Sequence, residues 1–178
     1  MRAIGSGLLG ILLGALAIMQ PLPAAYAQSG VGGCTLERVE NPSREVLRCP
    51  NGVSIIAERA TRFEIRDRDG NGSADAATLN RRALLLEVPS GASPNGFQVI
   101  TPQAIAAVRG TTWAVDVAGG KTSVFVVNGS VSVQRPAAGE GVVLGAGEGV
   151  DVEAGTGPLT VKRWPAARVS ALLARFGQ

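Results

Sequence analysis

The sequence predicts an all-β protein, and two features of its 178 residues support that prediction. Short segments that alternate apolar and polar residues recur along the chain, and turns rich in glycine, proline and asparagine separate them. Strands with this spacing are typical of a β-sandwich, a barrel or a solenoid. The predicted strands are 35–39, 44–48, 53–57, 62–66, 83–88, 97–101, 111–117, 123–127, 130–134, 142–144, 150–153 and 159–163.

Residues 1–27 have the pattern of a secretory signal peptide. Arg2 gives a positive start, residues 8–19 form an apolar stretch of 12 residues, and Ala25-Tyr26-Ala27 ends the segment as an A-x-A cleavage site. A membrane-spanning helix needs about 20 apolar residues, so the alternative of an uncleaved anchor is less well supported. We therefore expect cleavage after Ala27, export and no transmembrane anchor.

After a flexible start at residues 28–33, residues 34–49 are predicted to form a disulfide hairpin. Antiparallel pairing about Asn41-Pro42 opposes residues whose numbers sum to 83, which sets Cys34 opposite Cys49. Directly opposed residues have Cβ atoms about 4.5–5.5 Å apart, close enough for a disulfide after a small adjustment. Export to an oxidising compartment favours that bond. The alternative is a lipid anchor on Cys34.

The C-terminus has a helical pattern. Its apolar residues recur at the spacing of one helix face: Val169, Leu172, Leu173 and Phe176. Pro165 suits the first helical position. We predict a last strand and linker at 154–164 and an amphipathic helix at 165–178. This helix either covers an open end of the β core or binds a partner or a membrane surface.

The composition excludes most familiar enzyme constellations. The chain has no histidine and two cysteines, which removes Ser-His-Asp and Cys-His nucleophiles and a four-ligand zinc site of nitrogen and sulfur. The net charge is +3 and aromatic residues make up 4% of the chain, without a basic segment interleaved with aromatics. Nucleic acid is therefore not an expected partner.

Residues 46–153 resemble a FecR domain. The most specific segments are 97–102, which ends in Thr-Pro, 106–111, which ends in Val-Arg-Gly-Thr, and Trp113-Ala114-Val115. The segments 127–131 and 144–148 resemble the family's Gly-x-Val turn and Leu-x-x-Gly-Glu motif. The motif residues that carry the resemblance are Arg109, Gly110, Thr111, Gly129, Gly147 and Glu148.

The resemblance implies a non-catalytic, all-β periplasmic domain similar to a short, twisted β-helix or solenoid, with a β-sandwich as the alternative. In the best-known members this domain follows a cytoplasmic segment and a membrane span, and it relays the state of a siderophore receptor to a sigma factor. In this sequence an export signal stands where the cytoplasmic segment would be, and no membrane span follows it. We therefore expect only the extracytoplasmic domain of the family. Its partner would be an envelope protein or a polysaccharide.

The Arg109-Gly110-Thr111 motif has two interpretations. In the first it is a structural turn, in which Gly110 permits a positive φ and Arg109 pairs with an acid such as Asp116 or Glu148. In the second it contacts a ligand or partner.

Residues 67–75 match the pattern of a cation-binding loop, D-x-D-x-N-G-x-x-D. The candidate oxygen ligands suit a hard cation such as Ca²⁺, which makes calcium the one possible cofactor: Asp67, Asp69, Asn71, Ser73 and Asp75. Position 12 is Thr78 instead of the usual glutamate, and the flanks are predicted strands. The alternative is a hairpin loop without metal.

The sequence favours a non-catalytic protein that acts by binding, as a sensor or adaptor or as an envelope scaffold, with a possible link to iron uptake or envelope signalling. The second hypothesis is a calcium-binding cell-envelope or surface protein. The third is a small hydrolase with paired carboxylates. The acids available for it are Asp116, Glu148, Asp151 and Glu153.

Overall fold

The computed structural model describes residues 31–137 and 141–178, so the predicted signal peptide at 1–27 lies outside the described residues. A 3₁₀ turn, Val31–Gly33, is followed in the described residues by thirteen strands and one helix. The strands are β1 Thr35–Val39, β2 Arg44–Arg48, β3 Ser54–Glu58, β4 Arg62–Arg66, β5 Ala76–Val88, β6 Phe97–Ile100, β7 Ile105–Val108, β8 Thr111–Ala118, β9 Lys121–Asn128, β10 Ser130–Gln134, β11 Val142–Gly145, β12 Glu148–Glu153 and β13 Lys162–Arg163. The helix, α1, is Ala166–Ala174.

The all-β class is confirmed, and its strands form one curled sheet with two parts that share β5. The long part, which we name the helix-side sheet, contains β1, β2, β3, the second half of β5, β8, β9, β12 and β13. The short part, the groove-side sheet, contains β4, the first half of β5, β6, β7, β10 and β11. Every described pairing is antiparallel except β5 with β6. Arg82, at the crossing of β5, has a φ of +71°.

Alternating side chains of the helix-side sheet pack into two different apolar clusters, one on each face of the sheet. Leu84 and Leu86 of β5 point inward, where they join the main core between the two sheets. Ala83 and Leu85 point outward into a second, smaller cluster. Trp113 of β8 is fully buried in the main core. Because both faces of this sheet are buried, its central strands are continuous apolar runs rather than half-polar ones.

The C-terminal helix covers the outer face of the helix-side sheet. Leu172 and Phe176 are buried there against outward residues such as Leu85 and Phe125. The predicted helix is confirmed as an element, and it begins at Ala166 with Pro165 as its N-cap residue. It lies on a sheet face rather than over an open end of the core. In the described part of the chain, no helix has the length and apolarity needed to cross a bilayer.

The N-terminal hairpin has the predicted register. Leu36 pairs with Leu47 and Arg38 with Glu45. The Cys34–Cys49 disulfide is confirmed, with the two Cα atoms 4.0 Å apart. The bond fastens the start of β1 to the end of β2, and both cysteines belong to the main core.

Three elements differ from the sequence prediction. β7 and the first half of β5 are strands that the alternation did not predict, and both are rich in alanine, which has low strand propensity. The strand predicted at 159–163 is reduced to Lys162–Arg163. Its preceding segment carries two glycines and a proline, which interrupt pairing.

Candidate functional site

The Arg109-Gly110-Thr111 motif forms one half of a packed corner between two turns. Thr111 begins β8, and its Oγ1 donates to the carbonyl of Ser130 at 2.9 Å. The same oxygen accepts from the Ser130 amide at 3.4 Å. The turn after β7 is thereby tied to the turn at Gly129, between β9 and β10.

This corner requires glycine at two positions. Gly110 has a φ of +72°, and a Cβ there would overlap Ser90 Oγ. Gly129 has a φ of +89°, and a Cβ there would lie 2.8 Å from the Gly110 carbonyl oxygen. Side chains are disfavoured at both positions by conformation and by space.

Arg109 lies at this corner but is exposed to solvent. Its predicted ion pair is wrong, because both candidate acids are engaged elsewhere. Asp116 binds Arg175, and Glu148 Oε2 accepts the Gly145 amide at 2.8 Å. Side chains of β8 alternate between the two faces of the sheet. Asp116 points to the outer face beneath α1, whereas the Arg109 turn lies at the N-terminal end of the strand.

Gly147 and Glu148 form a second corner, between β11 and β12. Gly147 has a φ of +81°. Its amide donates to Val126 at 2.9 Å, and its carbonyl accepts from Trp164 at 3.2 Å. This glycine therefore links the β11–β12 turn to β9 and to the segment that leads into α1.

A shallow groove lies beside Arg109 on the outer face of the groove-side sheet. The strand registers place Gln98, Ala107, Ser132 and Val143 in one row across β6, β7, β10 and β11. Val143 is 69% exposed, more than any other large apolar residue of the described surface. The groove has a volume of about 370 Å³, and Asn95 and Arg109 are among the residues that line it.

The predicted cation loop is closed by its own backbone amides. Asp67 accepts from Gly70 and Gly72 at 2.8 Å, and Asn71 accepts from Ser73 at 2.8 Å. Hydrogen bonds from the Gly72 amide and its neighbours lower the pKa of Asp67, outweighing desolvation.

The remaining acids of this loop serve different contacts. Asp69 Oδ1 accepts from the Asn71 amide at 3.3 Å. Asp75 is buried, accepts from the Arg68 amide at 2.8 Å and pairs with its guanidinium at 3.1 Å. Within residues 31–137 and 141–178, no three His, Cys, Asp or Glu side chains group closely enough to hold a metal ion. Calcium binding by the loop stays a prediction.

Two arginines of the C-terminal segment fasten α1 to the helix-side sheet. Arg168 lies 3.4 Å from the centre of the Trp164 ring and donates to Asp151 at 2.6 and 3.0 Å. Asp151 also accepts from Ser123 at 2.6 Å. Partial burial acts to raise the pKa of Asp151, but the hydrogen bonds from Arg168 and Ser123, with the charges of Arg168 and Lys121, lower it overall.

Arg175, two turns further along, makes the second attachment. It donates to both carboxylate oxygens of Asp116, at 2.7 and 3.1 Å, and to Glu58. Glu58 is only 7% exposed, so its charge needs these partners. The hydrogen bond to Asp116, despite desolvation, raises the pKa of Arg175 above its ordinary value.

These contacts account for three of the four carboxylates considered for a hydrolase. Asp116 and Asp151 hold α1, and Glu148 closes its own turn. Glu153 is exposed at the end of β12. The arrangement assigns structural contacts to these acids and gives the hydrolase hypothesis no support.

Comparisons with known proteins agree with this fold. A family model described as FecR protein matches residues 36–132. Two crystal structures of a proposed anti-sigma factor from Parabacteroides distasonis are similar, each with a TM-score of 0.60 and 21% identity, over 79% and 78% of this chain. This chain spans 64% of the length of that protein. No curated protein sequence matches it significantly.

The curled sheet, its glycine corners and its covering helix define an all-β domain of the kind found in that structure. The family model covers more than half of the sequence, including the Arg109-Gly110-Thr111 corner. The chain belongs to the FecR family.

The Gly110→Ala variant tests the packed corner. We expect it to lower the free energy of unfolding by about 0.5 kcal/mol more than Gly119→Ala, because the Ser90 hydroxyl must rotate away from the added Cβ in addition to the conformational strain. Gly119 is the matched control, with a φ of +58° and open space around it. Urea denaturation measures both, and Ser90→Ala should recover part of the Gly110→Ala loss. Equal losses in the two glycine variants would contradict the packing argument.

The Asp151–Arg168 contact predicts a pH dependence. Because the folded state lowers the pKa of Asp151 below its ordinary 3.8, the contact stabilises the protein above that value. The stabilisation is lost as the pH falls through the lowered pKa. Wild type should therefore melt at a higher temperature than Asp151→Asn at about pH 5–7, and the difference should shrink as the pH falls below the ordinary pKa of aspartate and vanish below the lowered pKa. A difference that does not change with pH would exclude this ion pair as its cause.

Proposed function

We propose that this chain is a non-catalytic, exported FecR-domain protein that acts by binding a partner in the cell envelope. The observation that carries the proposal is the Arg109-flanked groove on a surface that the fold does not use for packing. Its floor combines small side chains, Ala107 and Ser132, with the exposed Val143. A shallow floor of this kind admits an extended segment of a partner, and Arg109 supplies a charged contact at one end.

Family membership supports a regulatory rather than a catalytic role. The similar solved structure is described as a proposed anti-sigma factor, and at 21% identity it supports the fold of this chain rather than the same activity. We propose that the protein acts in signalling, as a sensor or adaptor. The alternative is that it acts as a scaffold in the cell envelope. A link to iron uptake rests on the family alone.

Export to the periplasm is part of the same proposal. The Cys34–Cys49 disulfide is compatible with an oxidising compartment. The pattern of residues 1–27 supplies the signal, and cleavage after Ala27 would leave the hairpin near the new N-terminus.

A photocrosslinking experiment tests the groove in the organism that makes the protein. The full chain carries a photoreactive residue in place of Val143, and irradiation of intact cells is followed by mass spectrometry of the adducts. We expect one dominant envelope partner. Adding Ser132→Arg should reduce the adduct by about tenfold, because the larger side chain fills the groove, a loss equivalent to about 1.4 kcal/mol.

Ser170→Arg, an exposed serine on α1, is the control that adds the same charge away from the groove. It should leave the adduct unchanged. A protein adduct favours the sensor or adaptor form, and a polysaccharide adduct favours the scaffold. An adduct that survives Ser132→Arg, or no adduct at Val143, would reject the groove as the binding surface.

A further inference from the structure

A cluster of arginines lies where β5 crosses between the two sheets. We name it the arginine patch, and it consists of Arg62, Arg81 and Arg82. All three residues are exposed. Arg62 begins β4, and the other two lie in the middle of β5. The patch is separate from the groove, because β4 and β11 are at opposite ends of the groove-side sheet.

The strand register brings two of these charges together. Arg62 is the direct partner of Arg81 in the β4–β5 ladder, at an irregularity in the register. Like charges on opposed residues of an antiparallel pair destabilise a sheet. An anion held between the two guanidinium groups would offset that repulsion.

The protein itself supplies little compensating charge. In the part of the chain that the structure describes, no carboxylate lies within 4.0 Å of the side-chain nitrogens of Arg62 or Arg81. Arg82 pairs with Glu58 at 3.3 Å, but Arg175 also binds that carboxylate. The patch thus retains positive charge.

The one acid of β4, Glu64, also has a partner outside the patch. Glu64, two residues from Arg62 on the same face of β4, pairs with Arg66 at 3.2 Å. Arg66 also donates to Thr78 Oγ1 at 3.0 Å. These contacts hold Glu64 toward the far end of β4, where it does not neutralise the patch.

The residues around the patch indicate which kind of anion it would bind. Among the described strands β4 pairs only with β5, so Arg62 lies on an edge strand and faces solvent. An open edge suits a polymer with repeated anionic groups. The apolar residues of β4, Phe63 and Ile65, pack against the main core, so the patch offers neither an apolar wedge for a membrane nor an aromatic platform for nucleic-acid bases.

We propose that the arginine patch docks an acidic polysaccharide. Guanidinium groups bind carboxylates through paired N–H donors, and two adjacent arginines can hold one sugar carboxylate between them. Docking on this edge leaves the groove free for the partner proposed above. The patch would place the domain on an anionic glycan while the groove engages its partner.

Calorimetric titration with polygalacturonate, a carboxylated polysaccharide, tests this docking. We expect the mature chain to bind at low salt and the affinity to fall as salt is added, because exposed charges are screened. The double variant Arg62→Gln/Arg81→Gln should bind at least about tenfold more weakly, as charge-assisted contacts are lost. Without polysaccharide it should melt at the same or a higher temperature than wild type, because the repulsion is removed.

The control is Arg48→Gln/Arg163→Gln, which removes the same charge from two exposed positions outside the patch. It should keep affinity within about threefold of wild type. Equal weakening in both double variants, no binding by wild type, or tighter binding to phosphatidylglycerol vesicles or single-stranded DNA than to polygalacturonate would overturn the proposal. The groove can still bind its partner in each of these cases, so the two proposals fail separately.

Discussion

The structure depends on one constraint, which is that a single strand, β5, belongs to both sheets. Its first residues pair with β4 and β6, and its last residues pair with β3 and β8. The main core is enclosed between the two sheets, so β5 fixes the angle at which they face each other. Arg82 takes a positive φ at the crossing, which a bulky residue adopts only when surrounding contacts impose it.

The two proposed binding surfaces follow from this arrangement. The groove lies on the sheet that β5 enters first, and the arginine patch lies at the crossing itself. On the other sheet, Glu58 and Asp116 face outward beneath α1, where Arg175 joins them. The contact between Glu58 and Arg175 joins two residues that are 117 positions apart in the sequence. The segment that contains α1 therefore attaches the end of the domain to its first half.

The sequence could predict what local patterns encode. Apolar and polar residues alternate on both sides of the hairpin turn, and counting from that turn sets Leu36 opposite Leu47. The same count sets Cys34 opposite Cys49, so the register and the disulfide follow from residue spacing. β8 and β9 were recognisable from their apolar runs and from the turn between them. β7 was missed because Ala106 and Ala107 carry no strand preference, and only pairing with both neighbours makes the segment a strand.

Tertiary contacts between distant residues were beyond such patterns. Arg109 was expected to pair with Asp116, yet the alternation of β8 turns that acid toward α1 and Arg175. The opposition of Arg62 and Arg81 depends on a register irregularity in the β4–β5 ladder, which no local signal reveals. The requirement for glycine at position 110 also comes from Ser90, on a loop that approaches it only in the folded state.

Native-state hydrogen exchange along β5 tests most directly whether this strand makes the two sheets one cooperative unit. Hydrogen-bonded amides within residues 76–79 belong to the groove-side sheet, and those within residues 83–88 belong to the helix-side sheet. We expect both groups to exchange with the same free energy, equal to that of global unfolding, with the same dependence on denaturant. If residues 76–79 exchange through a separate opening of lower free energy, the sheets unfold independently and β5 does not unite them.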